Sequence, residues 1–265
     1  MNFNVGKFPY FTSVTPTYQV NPIPQKQSGQ ITNSLPSDKF ESTSPKRFTS
    51  EIMLHKLGDN NAGVHRILKS VNIPYQLNIE ELNNILEGHC TDTQNIAEGI
   101  VKNLPFSLES KADLNAIKNA AYLHDIGKVF IPTEILNKNG KLTEEETNIV
   151  HKHAELGYEL LKDSGIDNKT LLLIRNHHQN AQKSGYPRVD NNFNADLDLQ
   201  ILSTADKYSA LTETRPYKEP MNREQALTII RADVRNRKTN PLIYNALVNY
   251  TDTKALENLD KTKTA

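Results

Sequence analysis

Apolar residues recur every three or four positions through most of the chain beyond residue 48, and no strand-like alternation extends over more than a few residues. This spacing is typical of amphipathic helices, so the sequence predicts an all-α fold. Thr143 and Glu146 form one capping box, and Asn222 and Gln225 form another, so a helix is expected to begin at each. Helices are predicted over 49–57, 78–87, 90–103, 111–127, 143–164, 168–180, 197–213 and 241–250.

The first 48 residues have a different character from the rest of the chain. They contain six of the thirteen prolines, one leucine and no histidine, in a background of Ser, Thr, Gln and Asn. Such a segment buries too little apolar surface to offset the entropy lost on ordering. We therefore expect a disordered or loosely docked tail over 1–48, a helical lead-in over 49–84 and the main domain over 85–265.

Charge and cysteine content narrow the possible chemistry. Lys and Arg number 31, as do Asp and Glu, so no overall positive field favours binding to polymeric nucleic acid or to a membrane surface. The longest apolar run, 171–174, is far short of the ~20 residues of a membrane helix, and we expect a cytoplasmic protein. A single cysteine, Cys90, excludes intrachain disulfides and a four-cysteine zinc module. Metal or acid–base chemistry would therefore depend on the eight histidines and on carboxylates.

Several of those polar residues lie on the apolar faces of predicted helices. The stripe through Ile117 and Ala121 leads to His124, which is followed by Asp125, and His153 shares a face with Ile149. Four more residues end or interrupt apolar stripes in the same way: His89, His177, His178 and Asp206. One His–Asp dipeptide could be a hydrogen-bonded pair at a helix end. Burying seven such groups is costly unless they are paired or bind metal, so together they predict a shared metal site.

The types of these side chains indicate which metals and which reaction to expect. Imidazole and carboxylate ligands suit divalent first-row ions such as Fe, Mn, Ni, Co or Zn. Seven ligands are too many for one tetrahedral ion but suit two ions that share a bridging carboxylate. Such a pair is well suited to the hydrolysis of a phosphate ester.

The same residues form an ordered set of motifs that resembles the HD superfamily of metal-dependent phosphohydrolases, specifically its HD-GYP group. The resemblance covers roughly residues 85–250. Its five motifs, in chain order, are His89, His124-Asp125-Ile126-Gly127-Lys128, His153 to Gly157, His177-His178 followed by Gly185-Tyr186-Pro187, and Ala205 to Lys218. A single such motif is weak, whereas five in order at similar spacing are specific.

The resemblance implies a bundle of about seven helices, two divalent ions and a bacterial phosphodiesterase that hydrolyses cyclic di-GMP. A water or hydroxide that bridges the ions would attack the phosphate. One ion would be held by His89, His124, Asp125 and Asp206, and the other by His153, His177 and His178, with Asp125 bridging. Asp125 and Lys128 would be the catalytic residues, and Lys128, Arg215 and Lys218 would bind the substrate phosphate. The Gly185-Tyr186-Pro187 loop is a possible contact for a protein partner.

The chain departs from the HD-GYP pattern between its histidine pair and the Gly-Tyr-Pro loop. Gln179 replaces a glutamate, while Gln182 and Lys183 replace Asp-Gly, and Ile85 offers no carboxylate for a third metal. A glutamine can still accept a hydrogen bond from a ligand imidazole, but Lys183 enters the left-handed backbone region less readily than glycine. Two alternatives therefore stay open: a nucleotide-binding or regulatory module without turnover, and a hydrolase of another phosphate ester.

Overall fold

The computed structural model describes residues 44–213 and 219–263, with side chains as far as residue 256. Every regular element in these ranges is helical, which confirms the all-α prediction. The helices are α1 (Glu51–Gly58), α2 (Ala62–Ser70), α3 (Ile79–Ile85), α4 (Thr91–Lys102), α5 (Phe106–Glu109), α6 (Leu114–Leu123), α7 (Thr133–Leu136), α8 (Glu144–His151), α9 (His153–Leu161), α10 (Asn168–Asn176), α11 (Leu197–Thr212), α12 (Arg223–Arg235) and α13 (Pro241–Lys263). None of these helices is both long enough and apolar enough to cross a membrane. Most of the predicted tail, residues 1–43, lies outside the described ranges.

Helix α6 occupies the centre of the bundle and packs against α4, α10 and α11. Its residues Ile117, Ala120, Ala121 and Leu123 are completely buried. The two alanines leave little side chain between α6 and its neighbours, so the helices can approach closely. The carboxyl end of α6 therefore lies in the interior of the protein, where polar groups need partners.

A close backbone contact fixes the turn that follows α6. The chain continues as a 3-10 turn over Ile126–Phe130, which packs against α9. A Cβ atom at Gly127 would lie 2.0 Å from the carbonyl oxygen of His153 and 2.6 Å from the backbone nitrogen of Gly157. Only glycine permits this approach, and it holds the end of α6 against the start of α9.

One helix assignment from the sequence is wrong, and one helix is given no bounds of its own. The predicted helix over 143–164 is two helices, because the chain breaks at Lys152 between α8 and α9. Helix α2 lies within the predicted helical lead-in over 49–84 but is not assigned as a separate helix, although its signal is present: the side chain of Asn61 accepts hydrogen bonds from the backbone nitrogens of Gly63 and Val64. Gly63 weakens the helical pattern, but a Cβ there would collide with the Glu159 side chain of α9.

Candidate metal centre

The structure brings together all seven residues that the sequence singles out as metal ligands, from five separate segments. His89 lies in a π-helical turn, Leu86–Cys90, that precedes α4, and π turns often occur at functional sites. His124 and Asp125 follow α6, His153 begins α9, His177 and His178 follow α10, and Asp206 lies within α11. Six of the seven are buried, and His178 is partly exposed.

The Asp125 carboxylate stands between two groups of histidines. Its Oδ2 atom is 3.4 Å from Nε2 of His124 and 3.7 Å from Nε2 of His89. Its Oδ1 atom is 3.3 Å from Nε2 of His153 and 4.0 Å from Nε2 of His177. The two oxygens thus face different imidazole groups, which is the arrangement of a carboxylate able to bridge two ions.

The two groups are compact enough to hold an ion each. His153, His177 and His178 place one nitrogen each within 4.8 Å of one another, and so do the ligand atoms of His89, His124 and Asp206. In the second group, Oδ1 of Asp206 is 3.0 Å from Nε2 of His89 and 3.6 Å from Nε2 of His124. Cys90 is buried, and its thiol lies within the same range of ligand atoms of His124 and Asp125.

Backbone carbonyls fix the tautomers of three of the histidines. The Nδ1 atom of His124 lies 2.8 Å from the carbonyl oxygen of Ala121. The corresponding distances are 2.6 Å from His153 to Val150 and 2.7 Å from His177 to Ile174. Because a carbonyl oxygen only accepts hydrogen bonds, Nδ1 carries the proton in each case. Each of these imidazoles, when neutral, therefore points an unprotonated Nε2 into the site.

These Nε2 atoms approach one another in a way that hydrogen bonding does not satisfy. The distance from Nε2 of His153 to Nε2 of His177 is 3.1 Å. Lone pairs that face each other at this distance repel unless a cation lies among them. The donor set therefore fits a divalent first-row ion, since neutral imidazole and carboxylate are the ligands such ions bind.

Burial places the imidazoles in the protonation state that a metal needs. It lowers the pKa of His153 to about 3 and that of His178 to about 4, and it holds the pKa of His177 well below its ordinary value. Burial alone would raise the pKa of Asp125, but the neighbouring charges of Lys128 and His124 hold it well below the usual range. His153, His177 and His178 are thus neutral imidazoles at neutral pH, and Asp125 is an ionised carboxylate.

We expect the metal-free protein to become less stable as the pH falls from 6.5 to about 4. In this range the unfolded chain protonates histidines that the folded chain keeps neutral, so acid favours unfolding. His153 and His178 would each contribute about 1.4 kcal/mol per pH unit. His124, whose pKa is raised because Asp125 and Asp206 outweigh the effect of burial, adds no slope below 6.5. Urea unfolding of chelator-treated protein at several pH values measures the slope, which His178→Ala should reduce; an equal slope in that variant would contradict the assignment.

A loop held by Gln179 covers the histidine group. The buried Gln179 amide donates to the Pro187 carbonyl at 2.7 Å and accepts from the Gly185 nitrogen at 3.2 Å. The expected hydrogen bond from a ligand imidazole to Gln179 is thus replaced by bonds that close the loop. Lys183 adopts φ 56°, so it enters the left-handed region despite its side chain.

The aromatic ring of Tyr186 lies over this group. Its centroid is 4.4 Å from that of His178, and on its other side it stacks on His151 at 3.7 Å. His151 is partly buried, whereas His55 and His65, which lie away from this group in the chain, are exposed.

The resemblance places Lys128, Arg215 and Lys218 near the substrate phosphate, and the structure locates one of these three side chains. The ammonium group of Lys128 donates to Oδ2 of Asp125 at 2.6 Å, so it lies at the candidate centre. Arg215 and Lys218 lie outside the described residues. Lys207, which also lies near the centre, pairs with Asp233 of α12. That partner comes from a distant segment, so helical periodicity alone could not identify it.

Sequence reasoning also missed two residues that contact His89. Nδ1 of His89 is 3.1 Å from the Ser209 hydroxyl and 3.5 Å from a Glu213 carboxylate oxygen. Ser209 follows Asp206 by three positions and Glu213 follows Ser209 by four. This spacing places Asp206, Ser209 and Glu213 on one face of α11 and of the residue that follows it. The same spacing in the sequence could have indicated that Ser209 and Glu213 lie near the candidate ligands.

Two cavities open onto the centre. One, of about 460 Å³, includes His177, His178 and Tyr186 in its lining. The other, of about 800 Å³, lies towards α3 and the segment between α7 and α8. His89, Lys128 and Val150 line both cavities, so the candidate centre lies where they meet.

Comparison with known proteins connects this geometry to a family. The sequence profile described as HD domain matches residues 76–241. The chain is 38% identical over 143 residues to the cyclic di-GMP phosphodiesterase response regulator RpfG of Xanthomonas campestris pv. campestris. The matched region covers 52% of this chain and 37% of that protein. It is also 36% identical over 149 residues to 3'3'-cGAMP-specific phosphodiesterase 2 of Vibrio cholerae. That match covers 54% of this chain and 27% of the Vibrio protein. The chain thus spans roughly a third of the length of these relatives.

A solved structure with a similar fold is that of Bd1817, a HDG"Y"P protein from Bdellovibrio bacteriovorus. The TM-score is 0.52 at 13% sequence identity, and the match covers 80% of this chain and 69% of that chain. At this level of identity the likeness concerns the fold alone. It agrees with the helical bundle described above.

Proposed function

Because the chain belongs to the HD domain family, and its resemblance to the HD-GYP group is borne out, we propose that it hydrolyses a cyclic dinucleotide with the aid of two divalent first-row metal ions. Cyclic di-GMP is the substrate we favour. The observation that carries the proposal is the position of Asp125, whose two carboxylate oxygens face two separate groups of imidazoles. The names of several relatives, which act on cyclic di-GMP or 3'3'-cGAMP, support the substrate class.

The donor atoms divide into two sets that fit one ion each. His89, His124 and Asp206 would hold the first ion, and His153, His177 and His178 would hold the second. Asp125 would contribute one oxygen to each. Bound at this position, two such ions would lower the pKa of water and neutralise charge on the phosphate.

The protein's own residues would orient the substrate for this chemistry. Lys128 lies 2.6 Å from Asp125 and lines both cavities, so its ammonium group is placed to bind a phosphate oxygen beside the carboxylate. Tyr186 covers His178 and limits the access of bulk water to that side. Arg215 and Lys218 stay proposed phosphate ligands on the strength of the sequence resemblance.

The altered residues near the loop do not favour a module without turnover. The buried Gln179 amide satisfies one acceptor and one donor of the Gly185-Tyr186-Pro187 loop, and a carboxylate could not donate to the Pro187 oxygen unless protonated. Gln179 is therefore compatible with an ordered loop over an active centre. The same loop stays a possible contact for a protein partner.

The proposal is tested by metal analysis combined with turnover. Protein loaded in turn with Fe, Mn, Co, Ni and Zn should contain about two ions per chain and convert cyclic di-GMP to linear dinucleotide or GMP. Chelation should abolish turnover, and adding the same metal back should restore it. Saturable binding of cyclic di-GMP by the metal-loaded protein without any product would support a regulatory module instead. Turnover only of another phosphate ester would replace the substrate while keeping the reaction class.

A further inference from the structure

The larger cavity of about 800 Å³ is not used by the metal chemistry itself. It shares His89, Lys128 and Val150 with the smaller cavity of about 460 Å³, so the two extend from the candidate centre in different directions. A phosphodiester links two nucleosides, one on each side of the phosphorus. A scissile phosphate at the shared wall would therefore direct one nucleoside into each cavity.

We propose that the larger cavity binds a guanine base of the substrate and that Glu81 reads the edge of that base. This inference rests on the proposed function, because it requires a nucleotide phosphate at the metal centre. It goes further in assigning a base-specific site and a residue that determines specificity.

The lining of the larger cavity suits a flat, mostly apolar group with a polar edge. Aliphatic side chains of Ile85, Ile135, Leu136 and Leu142 form much of its wall, and all four are partly exposed. Small-molecule sites commonly combine such walls with a few placed polar groups. Ile85, which offers no carboxylate for a third metal, is thus a wall residue here.

Glu81 supplies a carboxylate acceptor to the lining of this cavity. An oxygen of the Glu81 carboxylate accepts a hydrogen bond from the Asn137 amide at 2.9 Å, so the two side chains are held together. The remaining acceptor capacity of the carboxylate matches the adjacent N1–H and N2–H donors of guanine. Adenine presents an unprotonated N1 at that edge and would face the carboxylate with a lone pair, so Glu81 should favour guanine.

The smaller cavity has fewer aliphatic side chains in its lining, namely Val150, Ala210 and Ile230. Lys207 and Asp233 form an ion pair at its wall, and Lys238 also lines it. Charged groups of this kind suit the sugar–phosphate portion of a nucleotide better than a base. The larger cavity is therefore the better base site of the two.

Two substitutions test the assignment in the metal-loaded protein. Leu142→Trp should fill part of the cavity and raise KM for cyclic di-GMP at least tenfold. Leu242→Trp is its control, since Leu242 is 41% exposed and is not among the lining residues of either cavity. Glu81→Gln should reduce the preference for cyclic di-GMP over cyclic di-AMP about tenfold or more, while Glu80→Gln, on the exposed side of α3, should not.

The small diester bis(p-nitrophenyl) phosphate separates the two levels of the proposal. Its hydrolysis by the metal-loaded wild-type protein needs the metal centre but no contact specific to a base, so it reports on the proposed function alone. Calorimetry of cyclic di-GMP binding to each variant gives a readout that does not depend on turnover. Equal KM and Kd for Leu142→Trp and Leu242→Trp would overturn the base site. If the metal-loaded wild-type protein hydrolysed no diester at all, the proposed function would be overturned instead. The calorimetric binding data would still decide whether the larger cavity binds the base.

Discussion

Asp125→Asn should lower turnover of the metal-loaded protein about a thousandfold or more and reduce its metal content. The two oxygens of Asp125 face different histidine groups, at 3.4 Å from Nε2 of His124 and 3.3 Å from Nε2 of His153, so the amide would remove charge that both ions share. The amide also leaves Lys128 without its 2.6 Å carboxylate partner. Elemental analysis and initial rates on the same preparation measure both effects.

Asp198→Asn is the matched control for the loss of a buried carboxylate. Asp198 is 2% exposed and pairs with Lys169. It lies in the first turn of α11 and belongs to neither group of candidate ligands. This variant should have a lower Tm but keep its metal and its turnover per folded molecule. If Asp125→Asn retained two ions and near-normal rates, Asp125 would not be a bridging ligand.

Gly127→Ala should destabilise the protein by about 3 kcal/mol or more and abolish turnover in whatever folds. The added Cβ would lie 2.0 Å from the His153 carbonyl oxygen and 2.6 Å from the Gly157 nitrogen, both of them backbone atoms. The 3-10 turn and α9 would have to separate. Since Asp125 precedes this turn and His153 begins α9, the separation would also pull the two apart.

Gly88→Ala provides the comparison. The nearest atom to a Cβ at Gly88 would be a Glu213 carboxylate oxygen at 3.7 Å, which is an ordinary contact. Its unfolding free energy should therefore equal or slightly exceed that of wild type, because alanine is the better helix former. Thermal unfolding of the two variants measures the difference, and equal Tm values would show that the α6–α9 contact can relax.

The sequence located the helices and the seven polar residues because both are local signals. Each of those residues ends or interrupts an apolar stripe at helical spacing, and a buried histidine or aspartate is conspicuous there. The break at Lys152 was not visible because the apolar periodicity of α8 continues into α9. Helix α2 was not assigned separately because Gly63 obscures its pattern, for a reason that lies in the contact with α9.

Side-chain partners were harder to predict than positions. The division of the two Asp125 oxygens between histidine groups depends on how α6, α9 and α10 pack, which no local pattern encodes. Gln179 was expected to bond a ligand imidazole, and it bonds Gly185 and Pro187 instead. The ion pair of Lys207 with Asp233 joins α11 to α12, so only tertiary structure reveals it.

Three of the inward-pointing histidines also serve as carboxyl-terminal caps of helices. His124, His153 and His177 each donate Nδ1–H to the carbonyl oxygen three residues earlier, in the last turn of α6, α8 and α10 respectively. The last carbonyls of a helix have no partner within it, so each imidazole satisfies one of them. Fraying of any of these helix ends would release a ligand atom, and binding of an ion would in turn resist fraying. Metal affinity and the local order of these three helix ends are therefore coupled, so that a change in one changes the other.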